Sequence, residues 1–345
     1  MKRYKSAGEI KVGVVGYGGA FNMGKAHLNE MKRAGMVPAA VAEIDPARLE
    51  VAVTDFPGIG TFKSLPDMLK KSDVDLVTII TPHNTHAKLA LAALAAGRHV
   101  VCEKPLAITT AECDAMIAMA KKSGVVLSTY HNRHWDGWIL NAVKHIVDET
   151  MIGEVVRVEA HMGNYNKPGD WWRTSKTISG GVMYDWGVHL LEYALQLIDS
   201  EIVEVSGFAK CGFWADQTRW GKDTNEDEGQ AIVRFRNGAF LSLLLSNIDS
   251  NPRKGLLDVT GTQGSYVIGW DGNECIRKDK HGNTVTTKFP TPPGEGHKFY
   301  QNIADHLVKG EKLVITGEWA RRPIHILDLA CRSYKKGAAI KATYK

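Results

Sequence analysis

The chain has 345 residues, 44% hydrophobic and 23% charged, a length and balance that suit two domains with ample core and no need of cross-links. Its net charge of +5 is spread over basic pairs such as Lys121-Lys122, Arg321-Arg322 and Lys335-Lys336, with carboxylates between them, which excludes a nucleic-acid footprint. No apolar run approaches membrane-spanning length, and the basic start Met1-Lys2-Arg3-Tyr4-Lys5 runs into Ser6-Ala7-Gly8-Glu9. The five cysteines form neither C-x-x-C nor a disulfide framework, so a cytoplasmic protein without membrane or nucleic-acid partners is expected.

The first element is a strand over 10–15, followed at once by Gly16-Tyr17-Gly18-Gly19-Ala20-Phe21-Asn22-Met23-Gly24 and a helix that begins near Gly24. Glycines permit a tight turn and the approach of a pyrophosphate, and the helix offers that group free N–H donors and a positive dipole end. Five residues separate Gly18 from Gly24, a departure from G-x-G-x-x-G, so Gly24 is read as the third glycine after a small insertion. A second strand over 37–42 ends on Glu43-Ile44-Asp45 before a helix that Pro46 opens. Glu43 can accept both hydroxyls of an adenosine ribose and repels a 2′-phosphate, which points to NAD. Asp45 is the expected helix cap, and Arg48 is the one residue that could admit NADP.

A third strand over 74–80 breaks at Thr81-Pro82-His83-Asn84-Thr85-His86, and a helix over 85–96, closed by Gly97, feeds a strand over 99–102. That strand stops on Glu103-Lys104-Pro105. Lys104 thus stands at the carboxyl end of a parallel strand, the edge where open α/β sheets bind ligands, and Pro105 restricts its backbone. A helix over 110–122 and a strand over 125–130 complete an alternation that specifies a doubly wound parallel sheet, a dinucleotide-binding domain over 1–130.

Beyond residue 130 the rhythm changes. After a helix over 138–147, the run 154–162 alternates with period two, one face carrying Val156, Val158, Ala160 and Met162. Further strands over 202–209, 230–236, 240–247, 256–260, 265–270 and 274–278 are joined by turns such as Asn237-Gly238 and Asp271-Gly272. The second domain, 131–345, is therefore expected to be an α/β domain with a large, mainly antiparallel sheet, closed by helices over 297–308 and 318–334. Within it, Ser179-Gly180-Gly181 precedes a helical pattern in which Val182, Trp186, Leu190, Ala194 and Leu197 form an apolar stripe. Asp185 and His189 fall at i and i+4 beside that stripe, so the carboxylate can orient the imidazole as a general base. Shortly before, Trp171-Trp172-Arg173 offers indole faces for sugar rings and a guanidinium for hydroxyls or a carboxylate. His131-Asn132-Arg133-His134 adjoins a strand end and is read as hydrogen-bonding to substrate, not as a metal site.

The ordered set of the glycine turn with His27, Thr81-Pro82 with His86, Glu103-Lys104-Pro105, and Gly180-Gly181 followed by Asp185 and His189 resembles the Gfo/Idh/MocA family of NAD(P)-dependent sugar and polyol oxidoreductases, over about Ile10 to Ala339. The resemblance implies a Rossmann domain, a mainly antiparallel α/β domain, and homodimers or homotetramers formed through the open sheet. It implies as substrate a sugar, inositol or sugar acid with a secondary carbinol. It casts Lys104, Asp185 and His189 as catalytic, with His189 the base and Lys104 the cation near the oxygen. The cofactor contacts expected are Gly16, Gly18, Gly19, Ala20, Asn22, Met23, Gly24, Glu43, Thr81, Pro82, His83, Asn84, His86, Glu103 and Lys104. The substrate contacts expected are Lys104, His131, Asn132, Arg133, Trp172, Arg173, Asp185 and His189, and no metal is required. Two rivals stay open: a sugar-cleaving enzyme in which bound NAD is reduced and then regenerated, and a dinucleotide-sensing regulator, against which the intact Lys104, Asp185 and His189 speak.

Overall fold

Strands β1 (Lys11–Val15), β2 (Val37–Ala42), β3 (Gly60–Phe62), β4 (Leu76–Ile79), β5 (His99–Cys102) and β6 (Leu127–Thr129) form one sheet of order β3-β2-β1-β4-β5-β6, every neighbouring pair parallel. Helices α1 (Met23–Arg33), α2 (Pro46–Asp55), α3 (Leu65–Lys71), α4 (His86–Ala95) and α5 (Thr110–Ser123) make the crossovers. The structure is a computed structural model that describes residues 4–343; the basic start Met1-Lys2-Arg3 lies outside the described residues. Strands β4 and β5 are buried along their whole length, as expected of apolar runs covered on both faces. The Asp45 side chain caps α2, and Thr109 with Glu112 closes a capping box on α5. The strand order reverses at β1 and β4, so Gly16, Glu43, Thr81 and Glu103-Lys104 all follow carboxyl strand ends around one switch point.

Two elements of this sheet layer have no counterpart in the sequence reading. Strand β3 is three residues long and not fully buried, too short to show a period. Helix α3 carries a start signal, Ser64 accepting from the Asp67 N–H at 3.3 Å with a proline in the first turn, but its seven residues are too few for an apolar stripe.

In the remainder of the chain, α6 (Gly137–Ala142) passes into a π-helical turn at Val143–Asp148. Then come β7 (Val155–Gly163), α7 (Lys176–Ser179), α8 (Gly187–Leu197), β8 (Ile202–Lys210), β9 (Glu228–Phe235), β10 (Phe240–Ser246), β11 (Leu257–Gly261), β12 (Gly264–Ile268), β13 (Asn273–Lys278) and β14 (Thr284–Phe289). The last elements are α9 (Lys298–Lys309), α10 (Gly317–Lys336) and β15 (Ile340–Lys341). The nine-stranded sheet has the order β14-β13-β12-β11-β7-β10-β9-β8-β15 and is antiparallel except for β7 with β10. The two end strands were not expected: β14 is almost wholly exposed and β15 has two residues, so neither shows alternation.

One face of this sheet is dry. Register places Ala231, Leu243, Ala160, Leu257 and Ile268 in a single row, all buried, with Gly207 next in line. A Cβ on Gly207 would stand 2.0 Å from the Ala330 oxygen of α10, and one on Gly187 would stand 3.1 Å from Leu243, so glycines let both helices lie close on that face. Val156, expected on the buried face, is 41% exposed, because it lies where the β7–β11 register shifts. Among the described residues no helix is long and apolar enough to cross a membrane.

The two compact units do not divide cleanly at residue 130. The first takes in the chain up to Asn132 together with His297–Arg321, and the second is Arg133–Gly296 together with the chain from Arg322. Helix α9 returns to the Rossmann unit because its apolar face, with Phe299, Tyr300, Ile303, Ala304 and Leu307 all buried, packs there; the Tyr300 ring lies against His27 and Tyr130. Its amphipathic pattern is legible, but the partner surface lies far upstream.

Candidate active site

The glycine turn is built from three different demands. Gly16 has φ 99°, and a Cβ there would stand 2.5 Å from the Ile80 oxygen. A Cβ on Gly24 would stand 2.5 Å from the Tyr17 ring and 2.9 Å from the Gly16 oxygen, so Gly24 is the residue that lets α1 close on the turn, as the third-glycine reading supposes. A Cβ on Gly18 would meet nothing within 4 Å, and Gly18, Gly19, Ala20 and Asn22 are exposed. The turn thus leaves open space in front of exposed backbone, with Met23 opening the helix behind it. These features fit a dinucleotide pyrophosphate.

Glu43 follows β2, and its carboxylate accepts the N–H groups of Tyr17 at 2.5 Å, Ile44 at 2.7 Å and Asp45 at 3.1 Å. It therefore ties the glycine turn to the strand end. Arg48 reaches back to the same turn: its Nε donates to the Tyr17 oxygen at 2.8 Å and its Nη2 to the Asn22 side chain at 3.4 Å. The guanidinium is thus a brace for the loop, more than the solvent-facing helix residue that its sequence position suggests.

The Thr81-Pro82 segment is a closed turn in which the Thr81 and Thr85 hydroxyls lie 2.6 Å apart and the Thr85 hydroxyl donates to the Pro82 oxygen at 2.7 Å. His86, expected to touch the cofactor, does not fit that role. It is fully buried, with its ring nitrogens 2.8 Å from the Thr81 and Pro105 oxygens, so it fastens the turn to the segment after Lys104. Burial pushes its imidazole below the ordinary value even though both carbonyls favour the charged form. His83 is also buried, whereas Asn84 is exposed.

Lys104 follows β5, half-buried, and its peptide to Pro105 is cis. Its N–H donates to the Glu103 carboxylate at 2.9 Å, and the other Glu103 oxygen lies 3.0 Å from Nε2 of the fully buried His27. Burial works to raise the Glu103 carboxyl, but the His27 hydrogen bond and the neighbouring Lys104 charge help to outweigh it and hold the group below its ordinary value. His131 is buried and Asn132 half-buried just beyond β6.

In the second unit, Gly180 and Gly181 have φ of 96° and 133°, and a short 3-10 turn at Val182–Tyr184 follows, so α8 begins only at Gly187. Asp185 therefore precedes the helix on which His189 sits, instead of sharing its face at i and i+4. The glycine pair makes room for protein groups: a Cβ on Gly180 would meet the Tyr184 ring at 2.9 Å and one on Gly181 the Glu226 carboxylate at 2.7 Å. That buried carboxylate accepts the Val182 N–H at 3.1 Å and bonds Lys176.

Asp185 accepts from Arg173 Nη1 at 2.8 Å, and the same guanidinium lies over Trp171 and Trp172, 5.1 and 5.2 Å from their ring centres. The arginine read as a substrate fork is thus held between two indoles and a carboxylate. His189 is 6% exposed and lies 5.6 Å, ring to ring, from Trp186. Arg133 lies over the Trp186 ring, 4.9 Å from its centre, and donates to Asp136 at 3.1 Å, which also accepts from Tyr193 at 2.7 Å. Asp136, Tyr193 and Trp270, whose ring centre is 5.7 Å from that of Trp186, were not singled out in the sequence, and Trp186 was read there only as part of the apolar stripe. The signal for Tyr193 was present, since it stands one helical turn after His189. Among the described residues no group of three or more His, Cys, Asp or Glu side chains is placed to hold a metal ion.

A parallel sheet with its glycine turn, an acid after β2 and a lysine after β5, followed by a nine-stranded sheet bearing a histidine helix, defines a dinucleotide-binding oxidoreductase of two units. Residues 10–131 match the model of the oxidoreductase family with an NAD-binding Rossmann fold, and residues 140–267 match the GFO/IDH/MocA C-terminal domain. The chain belongs to the GFO/IDH/MocA oxidoreductase family. It is 34% identical over 189 residues to the uncharacterized oxidoreductase YdgJ of Escherichia coli (strain K12), a match covering 54% of this chain and 53% of that protein, so the similar stretch spans about half of the relative's length. It is 24% identical over 357 aligned positions to scyllo-inositol 2-dehydrogenase (NADP(+)) IolW of Bacillus subtilis (strain 168), covering 99% of this chain and 98% of that one. An NAD-binding protein from Listeria innocua superposes with a TM-score of 0.79 at 27% identity, covering 96% of this chain and 97% of the other.

Proposed function

We propose that this protein is an NAD-dependent dehydrogenase moving hydride between nicotinamide and a secondary carbinol of a cyclic polyhydroxy compound: a pyranose, an inositol or a sugar acid. The observation that carries the reading is Lys104, held by the Glu103 carboxylate at a carboxyl strand end of the switch-point sheet. The residues that would hold the cofactor are the open Gly18 turn and the start of α1 for the pyrophosphate, and Glu43 for the adenosine ribose. When bound, the nicotinamide supplies the hydride acceptor.

The chain's own residues handle the proton and the charge. His189 takes the hydroxyl proton as the carbinol carbon is oxidised and returns it in the reverse direction. Lys104 places a cation beside the oxygen whose charge grows as the proton leaves. Asp185, just before the helix that carries His189, contributes a carboxylate that its bond to Arg173 keeps in one place. Trp172 and Trp186 offer ring faces to the apolar side of a sugar or inositol.

Purified protein offered scyllo-inositol, myo-inositol, levoglucosan and a set of aldoses and sugar acids with NAD or NADP, read by absorbance of the reduced cofactor, tests the reading. These polyols are named by relatives, scyllo-inositol 2-dehydrogenase (NADP(+)) IolW, myo-inositol 2-dehydrogenase of Thermotoga maritima and levoglucosan dehydrogenase of Pseudarthrobacter phenanthrenivorans. Turnover of simple alcohols or 2-hydroxy acids with no turnover of any cyclic polyol would overturn it. A homodimer or homotetramer is part of the same proposal: Phe208 and Phe240 alternate with the buried row, so they lie on the opposite sheet face, 56% and 37% exposed, and would be covered by a second copy. Sedimentation of Phe208→Glu as a smaller species than the unaltered protein is the expected result.

A further inference from the structure

The Rossmann unit contains a line of polar groups that the proposed chemistry does not use, and it ends on Lys104. Thr78, in the middle of β4 and fully buried, has its hydroxyl 3.1 Å from the Tyr300 hydroxyl. Tyr300, from α9 and equally buried, has that hydroxyl 2.7 Å from Nδ1 of His27, and His27 Nε2 lies 3.0 Å from Glu103. The other Glu103 oxygen accepts the Lys104 N–H at 2.9 Å.

Hydrogen-bond chemistry gives the line a direction. An ionised carboxylate only accepts, so Nε2 of His27 must carry the proton that faces Glu103. Nδ1 can then accept the Tyr300 O–H, and the Tyr300 oxygen can accept from Thr78, which satisfies each of these buried groups at once. The Tyr130 ring packs edge-on against His27 at 4.3 Å and against Phe299 at 5.0 Å, so the imidazole sits among packed aromatic rings while both of its nitrogens have partners. A buried histidine with nothing to position would be a costly way to fill a core.

We propose that His27 is a positioning residue for Lys104: through the Glu103 carboxylate it fixes the backbone from which the lysine side chain springs, and Tyr300 fixes His27 in turn. The inference rests on the catalytic reading of Lys104, and it adds two residues, from α1 and α9, that sequence motifs around the lysine do not reach. It also makes α9 part of the active-site framework although the helix lies almost 200 residues downstream of Lys104.

The test pairs a substrate-free measurement with a kinetic one on the full-length protein. In His27→Leu, hydrogen exchange read by mass spectrometry on peptides spanning residue 104 should speed up at the Lys104 amide by at least tenfold, while amides of β1 and β4 exchange as before. With the compound of the panel above that turns over fastest, kcat should fall at least tenfold and KM for NAD should stay within threefold. His27→Gln, which keeps an N–H donor for Glu103, should recover most of both effects, and Tyr300→Phe, which keeps the packing and removes one hydroxyl, should show both in weaker form. Unchanged exchange at Lys104 in His27→Leu would overturn the proposal, as would a His27→Gln as defective as His27→Leu. Lys104→Met separates the two layers: full turnover in that variant would sink the catalytic reading of Lys104, while the exchange data would still report whether His27 holds the segment.

Discussion

Replacing Gly24 by alanine probes the glycine turn where packing leaves least room. The new Cβ would lie 2.5 Å from Tyr17 Cδ2 and 2.9 Å from the Gly16 oxygen, against an ordinary carbon contact of about 3.5–4.0 Å, so a gap of about 1 Å has to open. Tyr17 cannot supply it. Its ring is 1% exposed, its hydroxyl donates to Asp55 at 2.9 Å and its N–H to Glu43 at 2.5 Å. Overpacking of this kind costs roughly 1–3 kcal/mol. The strain is relieved by moving α1 away from the turn, which withdraws the N–H groups at its start from a pyrophosphate; a loss of about 1.4 kcal/mol there is tenfold in affinity. Gly24→Ala should therefore lower stability in urea by roughly 1–3 kcal/mol. It should weaken NAD, titrated by protein fluorescence, by at least about tenfold. Gly18→Ala is the matching control, because nothing lies within 4 Å of its Cβ and its φ is outside the left-handed region. Its stability should stay within about 0.5 kcal/mol of the unaltered protein, while NAD affinity drops because the methyl enters the cofactor's space. A Gly24→Ala protein with unaltered stability and NAD affinity would refute the third-glycine reading, and a Gly18→Ala protein that binds NAD normally would place the pyrophosphate elsewhere.

Fluorescence titration with both dinucleotides should show NAD binding more tightly than NADP, and Glu43→Gln should narrow the gap; NADP binding as well as NAD in the unaltered protein would mean that Arg48 governs the 2′ position. His189→Asn should slow the chemical step by roughly 10²–10⁴-fold with near-normal NAD affinity, Lys104→Met should harm turnover, and Asp185→Asn should be the mildest, its effect not additive with that of His189→Asn. Unaltered turnover in His189→Asn, measured where a deuterium isotope effect shows hydride transfer to be limiting, would rule out the histidine as base. The Glu103 carboxyl is held below its ordinary value, so its contribution to stability is complete above the ordinary carboxylate range and is lost as pH falls through the lowered folded value. The Tm difference between the unaltered protein and Glu103→Gln should accordingly shrink as pH falls from about 5 to about 3, and a difference that grows would contradict the assignment.

Much of the fold was readable in the chain itself. Alternation of apolar strands with capped helices up to residue 130, then period-two runs, specified a parallel sheet followed by a mainly antiparallel one, because each pattern suits a different mode of burial. Local chemistry also marked Gly16, Gly24, the Asp45 cap and the Glu103-Lys104-Pro105 strand end, since turns, caps and strand ends draw on neighbours within a few residues. What lay beyond reach were short edge elements such as β3 and β15, which carry no period, and every partner set by distant packing. Only the tertiary structure placed α9 in the Rossmann unit, put Tyr300 on His27, turned His86 onto two backbone carbonyls and delivered Arg173 to Asp185. The helix expected to carry both Asp185 and His189 starts two residues too late for that, because Gly180 and Gly181 take left-handed backbone and the chain needs a 3-10 turn before α8 can begin. A sequence displays which groups are available, but a hydrogen bond between residues 273 positions apart, as between His27 and Tyr300, exists only once the strands and helices that carry them have packed.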